Sequence, residues 1–158
     1  MLFRSDKILT PSDFTYKGLS IKELDKLVKQ YEIEDIYKLT PMQEGMLFHA
    51  MHDSESSAYF EQMNYRLQSE LSVDLVRKSL NELFSRYDTL RTVFIHEGIQ
   101  TPLQLVVKDR ECEFEYRDIR ELSTEEKQQY ILNYKKTDRE RGFRLDQDIL
   151  MQIGRAHV

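Results

Sequence analysis

The chain has 158 residues, of which 40% are hydrophobic and 32% charged, with a formal net charge of −5. That balance suits one globular domain and argues against a nucleic-acid-binding surface, and no apolar run reaches the ~18 residues of a membrane span. Cys112 is the single cysteine, which excludes an internal disulfide and fits a reducing, cytoplasmic setting.

Residues 5–35 are mostly polar with few β-formers, and are expected to be a connector into a body that begins near Ile36. Within them Ser20-Ile-Lys-Glu23 has the form of a capping box, in which serine and glutamate satisfy each other's backbone N–H groups. It predicts a helix with Ile21, Leu24, Leu27, Val28 and Tyr31 on one face. Thr40-Pro41-Met42-Gln43 starts a second helix, with proline at the first helical position, where its missing N–H costs nothing. Met63, Tyr65 and Leu67 alternate with Gln62, Asn64 and Arg66, the period of a strand.

Ser72 begins a third helix, whose expected apolar stripe is Val76, Leu80, Leu83, Tyr87 and Leu90. Three strands follow: RTVFIHEG, ending in a glycine turn; the run with Leu103, Leu105 and Val107; and the run with Cys112, Phe114 and Tyr116 facing one way. Ser123-Thr-Glu-Glu126 caps a fourth, polar helix running to about Arg141 and closed by Gly142. Residues 149–151 begin a last strand. The order predicts a mixed α/β layer protein without strict βαβ alternation.

The termini break this pattern. The oligonucleotide GTG CTC TTC CGA TCT encodes MLFRS when GTG is the start codon. Its reverse complement contains ATC GGA AGA GCA, which reads Ile-Gly-Arg-Ala as at residues 153–156, and the string resembles a common sequencing-library adapter. Residues 1–5 and 153–158 are therefore expected to be non-native.

No complete active site stands out. His49 and His52 share a helix face, but a zinc site needs further ligands, and there is no HExxH, CxxC or glycine-rich phosphate loop. No serine lies in GxSxG, and Cys112 falls on the inward face of an alternating strand. Glu125 and Glu126 suit the N-terminal end of a helix dipole. A glycine inside the second helix, Gly45, costs about 1 kcal/mol relative to alanine and suggests close approach of a backbone or ligand.

Three segments resemble one family. LTPMQEGMLFHA (39–50) is similar to the opening motif of condensation domains of nonribosomal peptide synthetases. RYDTLRTVF (86–94) resembles their second motif, RHExLRTxF, departing from it at Tyr87 and Asp88. DRERGFRLDQDILM (138–151) resembles the lead into the third, HHxxxDG. They occur in the family's order and cover nearly all of residues 36–151. Upstream, LTPSDFTYKGLSIKELDKL resembles the tail of an epimerization domain. The form PMQEGMLFH also resembles condensation domains that take a D-configured donor.

The resemblance implies an α/β fold like chloramphenicol acetyltransferase, here the incomplete N-terminal half of a two-lobed domain. The implied organisation is 6–35 as epimerization-domain tail and linker, and 36–152 as the N-terminal part of the condensation domain. The implied activity is peptide-bond formation between donor and acceptor thioesters, each on the 4'-phosphopantetheine arm of a peptidyl carrier domain, within a synthetase of antibiotic or other secondary-metabolite biosynthesis. Implied partners are the carrier domains and adjacent epimerization and adenylation domains, with no nucleic acid, membrane or metal. Met42, Gln43, Gly45, Met46 and His49 would lie on a helix beside the substrate tunnel, and Arg86 and Arg91 would support the site through charge pairing.

HHxxxDG does not occur in the chain, so no catalytic residue is assigned and the chain alone is expected to be inactive. Its sheet is expected to end in unpaired edges, with poor solubility or molten behaviour. Alternatives are a non-catalytic module that binds carrier domains, an epimerization or heterocyclization domain of the same superfamily, and a free-standing acyltransferase of the same fold.

Overall fold

The computed structural model describes residues 9–52, 59–68 and 70–157. The described elements are α1 (Ile21–Gln30), β1 (Ile33–Lys38), α2 (Pro41–His52), α3 (Val73–Arg86), β2 (Thr92–Ile95), β3 (Leu103–Val107), β4 (Glu113–Asp118), α4 (Thr124–Arg141) and β5 (Gln152–His157), with 3-10 turns at Pro11–Asp13 and Asp88–Arg91. The chain is a mixed α/β protein, as the element order predicted.

All four helices start where their caps place them. Ser20 and Ser123 each accept from the N–H three residues on, and Glu23 and Glu126 reach back to close the boxes. Gln43 Oε1 accepts from the Thr40 N–H at 2.8 Å, while Thr40 Oγ1 accepts from the Gln43 N–H at 3.3 Å. Gly142 ends α4 at φ 58 and ψ −154. That is a backbone region essentially reserved for glycine.

One sheet has the order β1-β3-β2 and is antiparallel throughout; the other pairs β4 with β5 in parallel. A parallel pair needs a crossover, and α4 supplies it. Over the three-stranded sheet lies a core of Phe14, Leu19, Leu24, Leu27, Ile33, Ile36, Val93, Ile95, Leu103, Leu105 and Val107. A second cluster joins Leu80 and Phe84 of α3 to Cys112 and Ile149.

Within the connector expected over residues 5–35, Phe14, Leu19, Leu24 and Leu27 are buried, and the Tyr16 N–H bonds the Ile36 carbonyl at 2.8 Å. β1 escaped the period-2 reading because its register shifts between Ile33 and Asp35. That irregularity lets Ile33 and Ile36, three residues apart, both face inward. The strand expected over 62–67 is not formed; the run belongs to no helix or sheet among the described residues, with Met63, Tyr65 and Leu67 exposed.

In α3 the buried row is Leu80 and Phe84, flanked by Val76, whereas Leu83 and Tyr87 of the expected stripe stay exposed. The last strand starts at Gln152 rather than at 149–151. Of the ends expected to be non-native, residues 1–5 and residue 158 lie outside the described residues, and residues 153–157 lie within β5.

Candidate functional site

α2 combines an anchored start with an uncovered body. Its first turn is tied to the sheet: Gln43 Nε2 donates to Gln104 Oε1 on β3 at 3.1 Å, and Gln104 Nε2 donates to the Lys38 carbonyl at 2.8 Å. Beyond that turn only Leu47 is buried, while Met42, Met46, Phe48 and Met51 are exposed. A helix apolar on all sides ordinarily lies within a core or against a partner. Phe48 stacks on His52 with ring centroids 4.9 Å apart, and His49 meets Tyr59 at 6.3 Å.

Among the described residues, Gly45 stands open. A Cβ built there meets nothing within 4 Å among the described residues. Met42, Gln43, Gly45, Met46 and His49 therefore share one helix that the structure anchors through Gln43 and leaves open elsewhere.

The two arginines differ sharply. Arg91 is buried, with its side chain 8% exposed, and every donor it uses is matched. Nε donates to the Phe84 carbonyl at 2.8 Å; Nη1 donates to Glu34 Oε2 at 2.6 Å and to the Val107 carbonyl at 3.0 Å; Nη2 donates to Asp88 Oδ1 at 2.7 Å. The side chain ties α3, the 3-10 turn, β1 and β3 together. Arg86 is exposed, makes no ion pair among the described residues, and sits 5.6 Å over the Tyr87 ring.

Glu34, Asp88 and Gln104 escaped sequence reasoning as partners. Asp88 could have been found: the 3-10 turn puts it three residues before Arg91, and a carboxylate at that spacing is within reach of the guanidinium.

No catalytic constellation is assembled among the described residues. Among the described residues, His157 Nδ1 lies 3.3 Å from Tyr116 Oη, His96 Nδ1 is buried without a partner, and His49 and His52 make ring contacts only. Burial, with the charge of Glu113 beside it, pushes the Cys112 thiol above its ordinary pKa, so a thiolate is disfavoured. No group of three or more metal-ligating side chains occurs among the described residues. The open cleft lined by Tyr31, Arg110, Arg144 and Asp148 is not lined by α2. No described helix is long and apolar enough to cross a membrane.

Among the described residues, α2 is anchored through Gln43 and largely uncovered, and Arg91 pins the α/β frame. Comparison with known proteins supplies the class. The condensation-domain family matches residues 33–157, and the chain belongs to that family.

Among curated relatives, a component of the mycosubtilin synthase of Bacillus subtilis is 45% identical over 149 residues, which is 92% of this chain and 6% of that protein. Bacitracin synthase 3 of Bacillus licheniformis is 40% identical over 152 residues, 94% of this chain and 2% of that protein. Gramicidin S synthase 2 of Brevibacillus brevis is 43% identical over 125 residues, covering 79% of this chain and 3% of that protein. The chain thus spans only a small fraction of the length of these relatives.

The crystal structure of a holo four-domain nonribosomal peptide synthetase bound to AMP and glycine matches with a TM-score of 0.60 and 18% identity. The match covers 80% of this chain and 9% of that one. At that identity the likeness speaks for the fold alone.

Proposed function

We propose that the chain is the N-terminal part of a condensation domain in a nonribosomal peptide synthetase, where it contributes one wall of the channel in which two carrier-bound thioesters meet. The family match across residues 33–157 carries this reading. In the reaction the acceptor amine attacks the donor thioester carbonyl, forming an amide and releasing the thiol of the donor's 4'-phosphopantetheine arm. Holding the two arms end to end supplies much of the rate by proximity, and the amine proton and the oxyanion need separate help.

This chain's residues serve as frame. Arg91 fixes α3 against the sheet, Gln43 fixes the start of α2, and the open apolar side of α2 faces the rest of the domain or a substrate arm. In this reading the fold is the early part of one lobe of a chloramphenicol acetyltransferase-like pair. PMQEGMLFH and the preceding segment favour a D-configured donor delivered by an upstream epimerization domain. Carrier and adenylation domains are the partners, in the cytoplasm. The 158 residues alone do not catalyse, because HHxxxDG is absent from them.

Long-read sequencing of the source DNA beyond the codon for Met151 tests this. A frame that continues into HHxxxDG supports it, and also supports a foreign origin for residues 153–158. A genuine stop codon after Val158 would sink both, leaving carrier binding without chemistry. A polypeptide carrying the continuation, mixed with loaded carrier domains, is expected to form the dipeptidyl thioester, and the 158-residue chain is not.

A further inference from the structure

Leu103, Leu105 and Val107 of β3 face the core, so Gln104 stands on the other side of the sheet, between Tyr37 of β1 and Phe94 of β2. β3 is the middle strand, and a side chain there is a fixed reference for whatever crosses that side. Both ends of the Gln104 amide are used. Nε2 donates to the Lys38 carbonyl at 2.8 Å and to Gln43 Oε1 at 3.3 Å, and Oε1 accepts from Gln43 Nε2 at 3.1 Å.

Each amide of this pair is oriented by a backbone group. The Lys38 carbonyl takes the donor end of Gln104, and the Thr40 N–H takes the acceptor end of Gln43. The two remaining ends then meet as donor against acceptor, an arrangement a carboxylate cannot reproduce because it has no N–H. Among the described residues no other hydrogen bond or ion pair joins α2 to the sheet, and Leu47 is the helix's one buried side chain. The body of α2 therefore takes its direction from its first turn.

We propose that Gln104 is a positioning residue: from the middle strand it fixes, through Gln43, where α2 stands. Its consequence for the reaction rests on the reading that α2 walls the channel in which the two thioesters meet. Met46 and His49 lie about one and two turns beyond Gln43, so a small tilt at the first turn becomes a larger displacement along the helix. Gln104 acts through the helix and not on the reacting atoms. A misplacement of about 1 Å at a reacting centre costs on the order of a hundredfold in rate, which is the lever such a residue holds.

Two substitutions separate positioning from capping and from stability. Gln104→Glu removes the donor to Lys38 and to Gln43. Gln43→Glu keeps an acceptor for the Thr40 N–H, and with it the helix cap, but loses the donor to Gln104. Spin labels placed in the 158-residue chain by Met51→Cys on α2 and Lys78→Cys on α3, both exposed, report where α2 stands; Cys112 is buried and gives the background. Either glutamate is expected to shift or broaden that distance, while a control pair at Lys22 and Lys78 stays as in the parent. In the polypeptide carrying the continuation, Gln104→Glu should lower kcat for the dipeptidyl thioester about tenfold or more and leave KM for the loaded carrier domains unchanged. Unchanged distances, or equal changes in both pairs, would overturn the proposal, as would a kcat equal to the parent's. A parent polypeptide that forms no dipeptidyl thioester would instead overturn the reading of function, and the distances would still decide whether Gln104 sets the place of α2.

Discussion

Arg91 donates from Nε to the carbonyl of Phe84 at 2.8 Å, joining the last turn of α3 to the start of β2. The same side chain reaches the carbonyl of Val107 on β3 and the carboxylates of Glu34 and Asp88. Both carboxylates are about half exposed while the guanidinium is buried, so the pairs draw more from the fixed fork than from isolated charge attraction.

Removing that fork takes one donor from each of the buried carbonyls of Phe84 and Val107. Arg91→Ala is expected to destabilise the chain by about 3 kcal/mol, and Arg91→Lys to recover little because an ammonium cannot span the same acceptors. Arg86→Ala, at an exposed site, should shift stability by no more than about 0.5 kcal/mol. Thermal melts followed by circular dichroism separate the three, and equal losses for Arg86→Ala and Arg91→Ala would contradict this assignment.

Gly45 offers the opposite case. With nothing within 4 Å of a built Cβ, alanine has room, and the helix gains from a better helix former. Gly45→Ala should raise stability by about 0.5–1 kcal/mol in this chain. Lower stability would mean that something already lies against that face.

At Gly142 the backbone is the constraint rather than the space. Nothing crowds a built Cβ, yet φ is 58 with ψ −154. Gly142→Ala is expected to cost about 1–3 kcal/mol through strain alone and to fray the end of α4. A melt indistinguishable from the parent would show that the turn can relax.

Alkaline pH should loosen the contact between α4 and the parallel pair. Burial, helped by the bond to Glu115 Oε2, pushes the Tyr134 phenol from 10.0 up to about 12. A group whose folded pKa is raised contributes stability that is intact below pH 10 and is lost as pH rises from 10 toward 12. Tyr134→Phe should therefore remove part of the stability loss across that interval. A parent and a variant with parallel stability-versus-pH curves between those limits would argue that the phenol titrates alike folded and unfolded.

Helix starts were legible because a capping box is settled within four residues, as at Ser20 and Ser123. Strand pairing was not. Met63, Tyr65 and Leu67 carry the period of a strand, but period states which way side chains point and not whether a neighbouring strand exists. β1 was hidden for the converse reason, since its irregular register moves Ile33 and Ile36 out of the expected phase. Phe84 was passed over in favour of Leu83 because both fit a helical stripe, and only the direction of approach of the Cys112 segment chooses between them. At the site, the motifs pointed to Gln43 and Arg91 as positions of interest. Their partners Gln104, Glu34 and Val107 are distant in sequence, and nothing local announces them.

The packing of Phe14, Leu19, Leu24 and Leu27 onto the strands that hold Ile36 and Leu105 has a mechanical consequence. The family match begins at residue 33, so a boundary drawn there would cut through one hydrophobic cluster and strip cover from one side of its sheet. Residues 14–27 are therefore coupled to the sheet through that cluster. A pull or a twist arriving through them would be borne by the sheet itself, with leverage reaching the strand that leads into α2.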